Sequence, residues 1–203
     1  MAETAHRDEV HGPPRASSRS SSREAFVATT GRLLRRQGYA STGLKEIVIE
    51  SGAPRGSLYF HFPGGKEELA VAAIELAGEQ LAQAISRILG VHERVGDGLA
   101  ALVDALAAAL AASGFADGCP IATVTLEAAV ASAPLRRASA DAFASWVGAL
   151  EARLHDEGLP RKLARRRALL VLAAIEGALV LARAQRDTEP LLAVREELLA
   201  LAV

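Results

Sequence analysis

One cysteine, one tryptophan and an aromatic content of 4% leave this chain of 203 residues short of the side chains that most often carry chemistry. With Cys119 alone, no internal disulfide can form, which suits a reducing compartment. The opening stretch MAETAHRDEVHGPPRASSRSSSR holds no apolar run of the signal-peptide kind, so the expected location is cytoplasmic. The histidines at 6, 11, 61, 92 and 155 are too scattered for a metal set, and no local signature of a hydrolytic triad is present. Neither a metal, a cofactor nor catalysis is therefore expected. Gly96-Asp97-Gly98-Leu99-Ala100-Ala101 fits a loose dinucleotide pattern, but no strand precedes it and it reads as an interhelical turn. Gly65-Lys66-Glu67 lacks the upstream glycine and the following hydroxyl of a phosphate loop. The most apolar window, Ala168 to Ala182, is interrupted by Glu176 and falls short of the ~20 residues of a membrane span. It reads as a buried helix, with no membrane partner.

What the chain has is segregated charge. From His11 to Lys66 there are nine Arg and Lys against three acids, so this window carries +6 in a chain whose net charge is −1. Such asymmetry points to a polyanion-binding segment joined to a body with another task. The hydrophobic content of 50% is ample for a core.

The periodicity is helical throughout. Residues 1–22, rich in Pro, Ser and Arg, have almost nothing to bury and read as a disordered tail. Phe26, Thr30, Leu33, Leu34 and Gln37 recur at helical spacing until Gly38 ends the run. Thr42 is the expected N-cap of a short second helix with Leu44, Ile47 and Val48, and Pro54 suits the first position of a third. Pro63-Gly64-Gly65 breaks that helix, and a long fourth one runs from Lys66 to about Leu89. Further stripes follow, Val95-Leu99-Leu102-Leu106-Leu110 and Leu135-Phe143-Trp146-Leu150-Leu154. Pro120 and Pro134 mark helix starts, and Gly158 and Pro160 separate two more helices. In the last pair, Leu172, Ile175, Leu179 and then Leu191, Val194, Leu198, Leu201 form the two-per-heptad seam expected of a four-helix dimer interface.

The second helix, the turn and the third helix have the length of a helix-turn-helix that reads DNA. In that reading Gly56 lets backbone approach the groove, and Arg55 and Ser57 are donors near the N-terminal end, with Arg55 the candidate for a base edge. Tyr59 and His61 point at phosphate, Thr42 and Lys66 grip the backbone from either side, and Lys45 joins the same set. Leu58 and Phe62 face inward as anchors.

The run Gly52-Ala53-Pro54-Arg55-Gly56-Ser57-Leu58-Tyr59-Phe60-His61-Phe62, followed by Lys66-Glu67-Glu68-Leu69, resembles the N-terminal domain of the TetR/AcrR transcriptional regulators. It departs in the extra residue of Pro63-Gly64-Gly65 and in Ile49-Glu50 at the end of helix two. The variant Phe62-Pro63-Gly64-Gly65-Lys66-Glu67-Glu68-Leu69 is similar to that of one subgroup, and the C-terminal half resembles the same subgroup through Gly118-Cys119-Pro120-Ile121-Ala122, Glu176-Gly177-Ala178-Leu179 and Ala182-Arg183-Ala184-Gln185. The resemblance implies an all-α homodimer: a tail over 1–22, a DNA-binding domain over 23–80, and a ligand-binding and dimerisation domain over 81–203. It further implies repression at a palindromic double-stranded operator, relieved when a small-molecule effector in the C-terminal domain moves helix four. The rival expectation is a dimeric helical binding protein without DNA affinity.

Phe115, Cys119, Phe143, Trp146, Leu172 and Glu176 are the candidates for the effector pocket. Cys119 before Pro120 is either a thiol activated at a helix N-terminus or a packed residue in a turn. Glu176 is either an arginine's partner, across the dimer, or a polar anchor for the effector.

Overall fold

A glycine decides where the first helix stops. The computed structural model describes residues 16–200, with side chains from residue 21 onward, and α1 runs Ala16–Ser41 with a break at Gly38, whose φ of 80° and ψ of −178° fall in a region open essentially to glycine. Eight more helices follow: α2 Leu44–Ser51, α3 Arg55–His61, α4 Gly65–Gly90, α5 Val95–Ala112, α6 Pro120–Ala128, α7 Ala133–Asp156, α8 Arg161–Gln185 and α9 Glu189–Ala200. No strand occurs among the described residues. The all-α expectation is met, and several boundaries move. Helix α1 starts at Ala16, inside the expected tail, while the expected tail up to residue 15 lies outside the described residues. Gly96-Asp97-Gly98 is the first turn of α5 and no interhelical turn. There Gly98 lets the helix start close to Leu89, whose side chain would sit 3.0 Å from an added Cβ.

The three N-terminal helices share a small core of Phe26, Leu34, Ile47, Leu58 and Phe62, all at or below 2% exposure. Helix α4 then leaves this unit and packs along α7, while α5 lies on α9 and α1 reaches α6. The core is one continuous cluster from Phe26 to Leu198. Because α4 runs unbroken through residue 80, the head and the body share a single rigid rod. It approaches α7 tightly at Gly78, where a Cβ would lie 2.8 Å from that of Ala142. The buried Trp146 indole donates to the Gly78 carbonyl at 2.8 Å, so the crossing is held by a hydrogen bond as well as by packing.

Two expectations about the C-terminal helices are corrected. The apolar window 168–182 belongs to a helix of 25 residues, and both α5 and α8 are long and apolar enough to cross a membrane by length and composition. In this fold α5 packs on α4 and α9, and α8 on α7 and α9. The heptad seam proposed for dimerisation points the wrong way: Leu191 and Leu198 are buried within the chain, and Leu172, Ile175 and Leu179 line an internal cavity. Val194 packs against the same core, and Leu201 lies outside the described residues. The seam is real as a helix-packing signal, but its partners lie in the same chain, α9 packing on α5 and α8, and α8 on α7 and α9. The apolar residues that α8 turns outward are Leu169, Leu170, Val180 and Leu181.

One substitution should change stability in opposite directions at two glycines. Gly38→Ala places a methyl group in a glycine-only conformation and against the Glu127 carboxylate, and should cost about 1–3 kcal/mol. Gly148→Ala, on the exposed side of α7 with nothing within 4 Å, should add about 0.5–1 kcal/mol. Urea unfolding of the two variants checks both signs.

Candidate nucleic-acid interface and apolar cavity

The α2–α3 corner is built from the inside out. Gly52 ends α2 in the left-handed conformation (φ 64°), and its N–H donates to the Ile49 carbonyl, turning the chain within three residues. Leu58 and Phe62, one turn apart, then pin α3 to the core, which leaves Arg55, Gly56, Tyr59 and Phe60 facing solvent. Helix α2 is tied to α1 by the Gln37 amide donating to Glu46 at 2.8 Å and by the Arg32–Glu50 ion pair at 3.2 Å. Lys45 stays exposed on the same side as this corner's shallow groove, which Leu44, Val48, Arg55 and Tyr59 line with it.

Four of the residues expected to touch DNA are placed differently from the sequence reading. Thr42 is no N-cap: that position is Gly43, without a side-chain cap, while the Thr42 hydroxyl is buried and donates to the Gly38 carbonyl at 2.6 Å. The break at Gly38 leaves that carbonyl in need of a donor, and the nearest hydroxyl supplies it. Ser57 donates its hydroxyl proton to the Pro54 carbonyl at 2.7 Å, so it stabilises the start of α3. His61 is half-buried, its Nε2 shielded and without a hydrogen-bond partner, and its ring meets Phe60 and Phe62 edge-on at 5.0 and 6.4 Å. It braces α3 against the domain. Lys66 folds back onto the end of α1, with Nζ 4.3 Å from the Tyr39 ring centre and 3.4 Å from the Ala40 carbonyl. Burial holds its ammonium below the usual lysine range, although Glu127 works the other way. The extra residue of Pro63-Gly64-Gly65 is accommodated by Gly65 at φ 68° and by the Gly64 N–H donating to Glu68 at 2.8 Å.

The end of α1 is also where the head meets the body. A helix leaves its last carbonyls without intrahelical donors. Here the Arg35 carbonyl accepts from the Gly118 N–H at 3.1 Å, and the Arg36 carbonyl accepts from the Arg183 guanidinium of α8 at 3.1 Å. Past the break, the Ala40 N–H donates to Glu127 of α6 at 2.8 Å, and the Ser132 hydroxyl donates to Glu67 of α4 at 2.6 Å. A Cβ at Gly118 would lie 3.0 Å from the Arg183 guanidinium and would push that group away from its place in the joint. The sequence reading missed this joint because its acceptors are backbone carbonyls, which no side-chain pattern reports.

Directly beneath the joint lies a cavity of about 300 Å³ between α4, α5, α7 and α8. Its walls are aliphatic, from Leu81, Ile85, Leu102, Leu106, Leu150 and Leu179, and α1 and the α5–α6 loop line part of it. Cys119, Trp146, Leu172 and Glu176 line it, as do Arg35, Gln80 and Asp117, which the sequence reading did not select. Phe115 and Phe143 stay outside. Phe115 adopts φ 63° in the α5–α6 loop beneath Arg186, and Phe143 packs edge-on against the far side of Trp146 at 5.3 Å. Cys119 is the N-cap of α6, its sulfur accepting from the Ala122 N–H at 3.4 Å. Burial first, then the neighbouring Glu176, pushes the thiol far above its ordinary value, so an activated thiolate is the wrong reading for this residue. Burial likewise raises the Glu176 carboxyl, against a smaller lowering from the Cys119 hydrogen bond.

Comparison with known proteins follows the same division of the chain. Residues 26–73 match the bacterial regulatory proteins of the tetR family, and residues 96–197 match the C-terminal domain of LmrA/YxaF-like transcriptional regulators. The chain is 35% identical over 171 residues to the HTH-type transcriptional regulator LmrA of Bacillus subtilis strain 168, covering 84% of this chain and 91% of that protein. It is 34% identical over 181 residues to the uncharacterized HTH-type transcriptional regulator YxaF of the same organism, covering 89% and 95%. The crystal structure of a TetR transcriptional regulator from Legionella pneumophila has the same fold, with a TM-score of 0.79 at 19% identity over 95% of this chain and 100% of that one.

The two faces of α3 should separate in a stability measurement. Phe62→Ala empties a fully buried aromatic site and should cost about 3–5 kcal/mol. Tyr59→Ala, on the exposed side, should change stability by no more than about 0.5 kcal/mol. Thermal unfolding of the two variants under one buffer condition checks the contrast.

Proposed function

We propose, for a chain that belongs to the TetR family of bacterial regulators and is therefore a DNA-binding transcriptional regulator and no enzyme, that it represses transcription from a palindromic operator until a small molecule enters the body. The observation that carries this reading is the joint: the helix that supports the reading head is capped by the very loop that closes the cavity. In this account Arg55 reaches a base edge, Gly56 allows close approach, and Tyr59 and Lys45 contact phosphates. Residues 23–80 carry DNA recognition and residues 81–203 carry ligand and partner binding, with α4 shared between them. The regulator works in the cytoplasm.

TetR-family regulators bind DNA operators and act as dimers. The contact we assign is the outward face of α8, where Leu170, Val180 and Leu181 are more than half exposed and Ala173 and Gly177 allow two helices to approach closely. A two-fold axis through that face presents two α3 helices, which adjacent major grooves require to be about 34 Å apart. An effector acts through its unequal affinity for the DNA-competent and incompetent spacings. Displacement of residues 117–120 by a ligand withdraws the Gly118 N–H from the end of α1, and that motion passes to α3 through the shared N-terminal core.

Fluorescence anisotropy with DNA from the chain's own promoter region, at two salt concentrations, tests the reading, and absence of binding at low salt would refute it. Arg55→Ala should weaken specific binding by about 1–3 kcal/mol and nonspecific binding far less. Lys45→Ala should weaken both alike and reduce the salt slope by about 1. For the interface, Leu170→Glu should give monomers in sedimentation velocity, and a persistent dimer would move the contact elsewhere.

A further inference from the structure

The cavity's polar end has a specific chemical deficit. Glu176 is a largely buried carboxyl on α8, and its polar neighbour inside the cavity is the Cys119 thiol, a weak donor. The other titratable groups facing the space are Arg35 of α1 and Asp117 of the α5–α6 loop, while α4 and α7 contribute the neutral Gln80 and Trp146 and α5 only apolar side chains. Arg35 forms no ion pair with the carboxyl among those of the described residues. The Trp146 indole N–H is already committed to the Gly78 carbonyl. An unpaired carboxyl in an aliphatic chamber gains most from a ligand that brings the missing cation together with apolar surface.

Building on the reading of this cavity as an effector site, we propose that its ligand is a lipophilic amine, whose hydrocarbon body fills the chamber of α4, α5, α7 and α8 and whose ammonium pairs with Glu176. A lipophilic acid would meet two carboxyls, Glu176 and Asp117, against the one cation Arg35, and a neutral molecule would leave the Glu176 carboxyl no better paired than before. Burial raises the free carboxyl, and a bound ammonium lowers it again. Amine binding therefore releases a proton at any pH between the bound and free values. Affinity rises as pH climbs to the free value and falls only when the amine itself loses its proton.

Trp146, the chain's single tryptophan, lines the cavity and reports occupancy. The full-length protein is titrated at pH 7 with three probes of one shape, 4-phenylbutylamine, 4-phenylbutanol and 4-phenylbutyrate, while Trp146 emission is followed. The amine should bind about tenfold or more tighter than the alcohol, as a hydrogen bond to a charged group warrants, and the acid weakest. Glu176→Gln should abolish the preference and leave alcohol binding intact, and amine titrations of the wild type over a pH series should show affinity rising with pH until the amine itself loses its proton. Equal binding of amine and alcohol to the wild-type protein overturns the amine assignment while leaving the cavity a ligand site, as does a preference that survives in Glu176→Gln. If none of the three probes perturbs Trp146, the effector-site reading falls with it.

Discussion

The unpaired carbonyls at the end of α1 are the point on which the two halves of this molecule depend. Every helix ends with acceptors its own backbone cannot satisfy, and most proteins give them to water or to a following glycine turn. Here Gly38 breaks the helix early, and donors from α8 and from the α5–α6 loop take over. Arg183 and the Gly118 N–H therefore hold the reading head in its orientation, with Glu127 and Ser132 adding a second line of contact to Ala40 and Glu67. Each bond contributes only about 1 kcal/mol net, and somewhat more where a charged group takes part. Several such bonds in one place are strong enough to set an orientation and weak enough for a ligand to rearrange.

That balance explains why the cavity lies where it does. Its aliphatic walls come from the helices that form the body's core, so the space is a gap in otherwise continuous packing. Part of its lining is made by the same residues that form the joint: Arg35 lines the cavity and offers its carbonyl to the Gly118 N–H, and Gly118 and Cys119 follow one another along the loop. The cavity lining and the joint that seats the head thus share residues. Helix α4 supplies the second connection, since it is continuous from the Lys66 end, against Tyr39, to the Gly78 crossing beneath Trp146.

Lys66 and Cys119 illustrate how burial redirects residues whose identity suggests another role. A lysine beside a candidate DNA-reading helix invites a phosphate contact, yet this one rests on an aromatic ring and a carbonyl, partly desolvated. A cysteine ahead of a proline at a helix start invites reactivity. The chamber around it is apolar and its neighbour is a carboxyl, and both oppose the thiolate. In each case the local motif is intact and its surroundings reverse the chemistry.

Much of the architecture was legible from periodicity and punctuation. Apolar residues at three-four spacing, the glycines at 38 and 52 and the prolines at 54, 120 and 134 marked helices at or near their observed places, because those signals act within a single turn. The inward pair Leu58 and Phe62 and the outward pair Arg55 and Tyr59 were readable for the same reason: a helix of seven residues has only two sides. What the linear pattern left undetermined was direction. The Leu172–Leu179 and Leu191–Leu198 stripes announced a packing face, but whether that face met another chain or this one depended on where α5 and α7 came to lie. The placing of Arg35 and Glu176 around one cavity was likewise settled by elements far away in the chain. Helix formation is a local equilibrium written in neighbouring residues, whereas burial and partner choice depend on how distant segments share a limited volume.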